Sequence, residues 1–140
     1  MSHYKVSLFK SPMHFGAVVL RYAFAFLFIL VAVKKFRDFG GFVNGMVLNP
    51  ETLMYQELPH FLLYIYAYTI PFLELLAGVL LLVDRYTKVA YTIVAFTYVS
   101  FVLGQMYNGN TAKIGTEYLP SLLAVVVAYY MHEEDQIRRG

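Results

Sequence analysis

The sequence predicts an all-α fold, a polytopic membrane four-helix bundle with antiparallel up-down topology. Three observations predict it. Of the 140 residues, 59% are hydrophobic and only 14% are charged, against about 25% charged in an ordinary soluble domain. A small soluble fold cannot hide that much apolar surface in one core. The apolar residues also fall into four runs separated by short polar segments, and a spanning helix needs roughly 20 residues, so four spans would take up about 80. The chain, at 16.1 kDa, is therefore nearly all membrane domain.

The first run, about residues 13–36, is closed by Lys34-Lys35-Phe36-Arg37-Asp38, and the pair Gly40-Gly41 is expected to stop the helix. It starts well inside the chain, carries Arg21 and lacks a small-residue cleavage site, so it reads as a retained helix. Residues 37–58 are polar and rich in turn residues, with Asn44-Gly45 and Asn49-Pro50-Glu51, and are expected to form an extramembrane loop with room for a short amphipathic piece. Pro59 suits the first turn of a second helix, about 59–83. Asp84-Arg85 then makes a tight turn into a third, about 86–106, which ends at Asn108-Gly109-Asn110. The fourth run, about 115–132, is the shortest. All of this makes one domain, 1–140, with no internal repeat.

Composition excludes several functions. Cysteine is absent, which removes thiol relays, CxxC motifs, iron–sulfur clusters and thiolate zinc sites. His3, His14, His60 and His132 lie at or outside the ends of the spans, so they do not supply paired axial haem ligands or a metal site. Walker, Rossmann, HExxH and GxSxG patterns do not occur. A formal charge of +2 gives no basis for nucleic-acid binding. The expected partners are the lipid bilayer and other membrane subunits of a larger complex, and no covalently bound cofactor is expected. Four spans place both termini on one side. That side collects Lys5, Lys10, Arg85, Lys88, Arg138 and Arg139, which favours a cell-membrane protein with cytoplasmic termini.

The informative residues are the charges inside the apolar runs, because an intramembrane charge costs at least a few kcal/mol unless it is paired, hydrated or turned inward. Counted from the span ends, Arg21 and Glu74 lie at matching depth on antiparallel helices, which predicts that they meet. Ala17, Ala25 and Ala32 flank Arg21, and Ala67, Ala77 and Gly78 flank Glu74, so small residues would let the two helices approach closely. Pro71 frees the carbonyl of Ala67 as a further polar group. The Arg21–Glu74 pair reads either as a structural clamp or as a site that also binds a small molecule or relays a proton. A second polar cluster of Lys34, Asp38, His60, Gln105, Asn108 and Glu117 gathers at the opposite face, as solvated helix ends or as a mouth for a headgroup or a soluble partner. The 13 tyrosines and 12 phenylalanines supply interface belts and packing, and flat-ring binding, as for a quinone, is compatible with them.

Leu20-Arg21-Tyr22 and Val33-Lys34-Lys35-Phe36, together with Glu74-Leu75-Leu76-Ala77-Gly78 and the short turn after it, resemble the arginine-to-lysine helix and the E-L-x-x-G helix of the DoxX/DoxD group. That resemblance covers about residues 15–130. It implies a four-helix subunit of a respiratory or quinone-linked oxidoreductase, such as thiosulfate:quinone oxidoreductase. Such a subunit is not catalytic alone; it anchors partners or helps form a quinone site. Arg21, Lys35 and Glu74 match the group's polar positions and become the candidate quinone or proton site. A non-catalytic assembly or scaffolding role is the alternative.

Overall fold

The computed structural model describes residues 11–47 and 49–139. Helix α1 runs from Pro12 to Arg37, α2 from Phe39 to Val47, α3 from Leu53 to Glu57, α4 from His60 to Val83 and α5 from Thr87 to Tyr107. A last continuous stretch comprises α6 (Thr111–Lys113), a π-helical turn (Ile114–Tyr118) and α7 (Leu119–Arg139). No strand occurs among the described residues. Four stretches, Pro12–Arg37, His60–Val83, Thr87–Tyr107 and Thr111–Arg138, are long and apolar enough to cross a membrane. They form an antiparallel bundle in which α1 packs on α4 and α7, and α5 packs on α4 and α7.

Local chemistry sets the helix ends. Ser11 accepts a bond from the His14 amide at 3.2 Å, and Pro12 opens the first turn, where its missing N–H costs nothing. Asp84 and Tyr86 both adopt left-handed backbone, φ 57° and 53°, and this compact turn joins α4 to α5. The Arg85 amide closes onto the Leu80 carbonyl at 3.0 Å, while the Asp84 carboxylate accepts a bond from the Thr87 hydroxyl at 2.9 Å. Asp84 thus ends one helix and anchors the next.

Small residues bring α1 and α4 together. Ala17, Ala25 and Ala32 on α1 are buried, as are Ala67, Ala77 and Gly78 on α4. A Cβ placed on Gly78 would lie 2.7 Å from Ile29 Cγ1 and 2.9 Å from the Ile29 amide nitrogen, so only hydrogen fits there. That contact fixes the antiparallel register, with Gly78 opposite Ala25 to Ile29. Around it Phe24, Phe28, Leu81, Tyr91 and Val94 complete the core.

Residues 37–58, expected as a loop with room for one short amphipathic piece, hold two short helices, α2 and α3. Asp38 breaks α1, but its carboxylate then accepts a bond from the Gly41 amide at 3.1 Å and its carbonyl one from Phe42 at 2.9 Å. Gly40-Gly41 therefore opens a helix where a stop was expected. The folded-back Asp38 carboxylate occupies the space a Gly41 side chain would need. Helix α2 then lies along α4, burying Val43 beside Leu63 and Ala67, and α3 follows after Thr52, whose hydroxyl accepts from the Tyr55 amide. The segment is apolar enough to pack because Phe39, Phe42, Val43 and Met46 interrupt its turn residues. The last helix also exceeds the expected 115–132, since Glu133 to Arg139 continue it.

Candidate functional site

Glu74 is the most deeply buried acid among the described residues, 2% exposed, and its partner is Lys35. The ammonium donates to Glu74 Oε1 at 2.7 Å. It also lies 4.9 Å from the Phe42 ring centroid and 5.5 Å from that of Phe101, close enough for the ring faces to attract it. Lys35 sits one turn before the break at Asp38, so α2 folds back over its head and Phe42 closes on it. A bond to a charged group in such surroundings is stronger than a neutral one, and neither partner can leave without stranding the other.

The predicted Arg21–Glu74 pair does not form. Arg21 Nη1 donates to the Leu81 carbonyl at 2.6 Å and to the Leu82 carbonyl at 3.5 Å, with Nε 3.8 Å from the Asp84 carboxylate. Register is the reason. With Gly78 opposite Ala25 to Ile29, the level of Arg21 falls near the end of α4 and that of Glu74 beyond Ile29. The two are about ten residues out of step, roughly 15 Å along the axis. Matching depth from the span ends assumed helices that start flush, which these do not. Arg21 instead caps the last carbonyls of α4, where a cation is favoured by the helix dipole, and does not reach the Ala67 carbonyl that Pro71 frees.

The Lys35–Glu74 pair borders a cavity of about 280 Å³ lined by Phe28 and Val31 of α1, Tyr98 and Phe101 of α5, and Glu117, Tyr118 and Ser121 of the last helix. The π-helical turn brings Tyr118 to 5.5 Å from Phe101, ring to ring, and Phe28 meets Tyr98 edge-on at 5.6 Å. Widened turns of this kind recur at functional sites. The cavity therefore joins aromatic walls to one ammonium and one carboxylate: it can hold a flat ring, offer it a proton donor and accept a proton from it.

The second polar cluster disperses. Asp38 caps α2, Lys34 is exposed, and His60 bonds the Tyr55 carbonyl at 3.0 Å while its ring lies 4.4 Å from that of Tyr55. Asn108 accepts a bond from the Met54 amide at 3.1 Å and, with Gln105, lines an apolar chamber under α3. Only Glu117 joins the Lys35–Glu74 cavity. Asp38, His60 and Asn108 are thus engaged with backbone groups of α2 and α3 and their flanks.

Besides Lys35–Glu74, sequence reasoning missed the pairings around Arg21 and His14. Asp84, assigned to a turn, faces Arg21. At the same end His14 Nδ1 lies 2.9 Å from the buried Asp135 carboxylate, joining α1 to α7, and both line a polar pocket of about 220 Å³ with Arg21, Asp84 and His132. The i, i+3 spacing of His132 and Asp135 on the last helix was the available signal. His3, Lys5 and Lys10 lie outside the described residues. No group of three His, Asp or Glu with metal-holding geometry occurs among the described residues.

Comparison with known families decides the affiliation. The family described as methylamine utilisation protein MauE matches residues 13–115, from α1 into the π-helical turn, and so includes Arg21, Lys35, Glu74 and Asp84. The chain belongs to the MauE family. The DoxX/DoxD assignment is thereby overturned, since no match to that family accompanies this one. Its residues misled because a glutamate followed four positions later by glycine is what any close-packed membrane helix with one buried acid presents. No curated protein and no solved structure matches the chain. As a MauE-family protein with four apolar helices, it is a multi-pass membrane protein of a family named for methylamine utilisation.

Proposed function

We propose that this MauE-family chain is a non-catalytic membrane subunit of a redox system for methylamine utilisation, where it holds a quinone-type ring against Lys35 and Glu74 and presents it to a catalytic partner. The observation that carries the reading is the buried Lys35–Glu74 pair on an aromatic-walled cavity. Quinone carbonyls take up protons on reduction. An ammonium held by a carboxylate beside such a ring is a proton source that can be refilled through the same pair, and intramembrane ionisable residues are functional candidates for this reason. The termini are assigned to the cytoplasm on the lysine and arginine bias, and the His14–Asp135 contact between α1 and α7 fits both ends lying on one side.

The test uses the whole chain in lipid nanodiscs. Because it has 13 tyrosines and no tryptophan, a dimethoxybenzoquinone ring without a tail should quench tyrosine emission on binding. Lys35→Met and Glu74→Gln are expected to weaken that binding at least tenfold with helicity intact. Equal affinity in all three proteins would remove the ring from this cavity. If both variants also keep the wild-type set of copurifying proteins, the assembly or scaffolding role takes its place.

A further inference from the structure

A mostly apolar chamber lies under α3, next to the ion-pair cavity rather than in it. It measures about 380 Å³, within the size range of small-ligand pockets. Most of its polar wall groups already have partners. The Tyr66 hydroxyl meets Ser100 Oγ at 2.6 Å, and Ser100 in turn donates to the Thr97 carbonyl at 2.7 Å. Asn108 is taken up by Met54, the Tyr107 hydroxyl by Glu57 at 2.6 Å, and Thr52 by Asn49 and Tyr55. What remains for an occupant, beside the Gln105 amide at one edge, is mostly carbon and sulfur, from Met46, Met54, Leu58, Leu103 and the bare backbone of Gly104. Unbranched thioether side chains adapt to flexible apolar shapes.

The chamber continues the ion-pair cavity. Phe101 lines both. On α2, Phe42 covers the Lys35 ammonium and Met46, one turn on, lines the chamber. On α4, Glu74 borders the cavity and Tyr66, about two turns earlier, borders the chamber. A molecule with its ring at Lys35–Glu74 has this adjoining, mostly apolar space for whatever hangs from that ring.

We propose that this chamber seats the hydrocarbon tail of the ligand whose ring occupies the Lys35–Glu74 cavity, so that the natural ligand is a long-tailed amphiphile and Phe101 is the hinge between its two parts. The inference rests on the ring reading above. Its test is positional, since a tail already dissolved in lipid gains little affinity on entering a pocket. Decylubiquinone carrying a diazirine at the far end of its chain is photolysed with the full-length protein in nanodiscs, and the labelled residues are mapped by mass spectrometry.

Labelling is expected to concentrate at Met46 and in residues 52–58 and 100–108, and to fall at least tenfold in Gly104→Leu, whose side chain fills the chamber. Gly104→Ala guards against misfolding: its added methyl meets only Met54 Sδ, at 3.7 Å, so it should keep the fold and reduce labelling by a smaller factor. Labelling confined to the outward-facing Leu123 and Val126 of α7, which are 65% and 57% exposed, and unchanged by Gly104→Leu, would overturn the proposal. So would undiminished chamber labelling by a diazirine-tailed phosphatidylethanolamine under saturating decylubiquinone, because the occupant would then be an acyl chain. Chamber labelling that persists while the tail-less ring fails to quench places the fault in the ring reading alone.

Discussion

The α1–α4 interface carries one ion pair toward each end, and the two are built in opposite ways. At one end Lys35 and Glu74 are closed in by Phe42 and Phe101, with side-chain exposures of 18% and 3%. At the other, Arg21 is 11% exposed but its acid, Asp84, is 48% exposed, and its shortest bond goes to a backbone carbonyl. Both pairs join the same helices, but the first buries its acid and the second leaves its acid half exposed. A buried pair is weak as a source of stability yet costly to break, whereas a half-exposed pair can lose one member to solvent. On the function proposed above, ring binding falls to the closed end and anchoring to the open one.

Breaking the closed pair should have the largest effect. Lys35→Met strands a carboxylate that is 2% exposed, and Glu74→Leu strands the ammonium; each is expected to cost about 3–5 kcal/mol. The double variant Lys35→Met/Glu74→Leu should recover most of that loss, since no unpaired charge remains. Thermal melts of all three proteins in one detergent measure it. A double variant as unstable as the singles would mean that the pair itself holds the helices together, and would weaken the case that it is kept for function.

The contact between the two ends comes next. Gly78→Val puts a branched side chain where even a Cβ would stand 2.7 Å from Ile29 Cγ1 and 2.9 Å from its amide nitrogen. Backbone cannot yield as a flexible side chain would, so a cost of about 1–3 kcal/mol is expected. Because this contact sets the register, the variant should also loosen both ion pairs, and disulfide trapping between cysteines introduced at Ala25 and Ala77 should become less efficient. Unchanged trapping with lower stability would show that the register is held elsewhere.

How far the sequence carried the reading follows the same physics. Hydropathy made the four spans legible, and small residues at helical spacing marked the faces that α1 and α4 bury, down to Ala25 and Gly78. The fold class needed no more. Partnership was a different matter: Lys35 and Glu74 were both visible as polar exceptions, but which cation met which acid depended on an axial offset of about ten residues that no spacing within one helix records. Helix α2 was hidden for a related reason. Gly40-Gly41 has the local signature of a stop, and only the Asp38 carboxylate folding back converts it into a start. The aromatic cavity draws on α1, α4, α5 and the last helix, so no single segment carried its pattern.

At the open end, Arg21→Met should be milder than either closed-pair variant. It removes the charge-assisted bond to the Leu81 carbonyl, about 1.5–3 kcal/mol, but leaves Asp84 half in solvent with its bond from Thr87 intact. If Arg21 anchors rather than binds, ring affinity at Lys35–Glu74 should change less than twofold while the melting temperature falls. A ring affinity that drops with Arg21→Met as far as with Lys35→Met would erase the division between the two ends.

The smallest effect should come from the turn beside Arg21, and it should be stabilising. Tyr86 holds φ 53° with its side chain 71% exposed, so the left-handed backbone is not offset by burial of the ring. Left-handed conformation costs a residue with a Cβ roughly 1–2 kcal/mol, and glycine returns part of that through its greater freedom in the unfolded chain. Tyr86→Gly is therefore expected to raise stability by about 0.5–1 kcal/mol. The same change at Asp84, φ 57°, relieves the same strain but removes the acid that faces Arg21 and the cap on Thr87, so Asp84→Gly should gain less or lose. Comparing the two melts isolates what Asp84 contributes beyond its shape. If both glycine variants gained equally, the Arg21–Asp84 contact would contribute nothing, and the open end of the interface would be held by the Leu81 carbonyl alone.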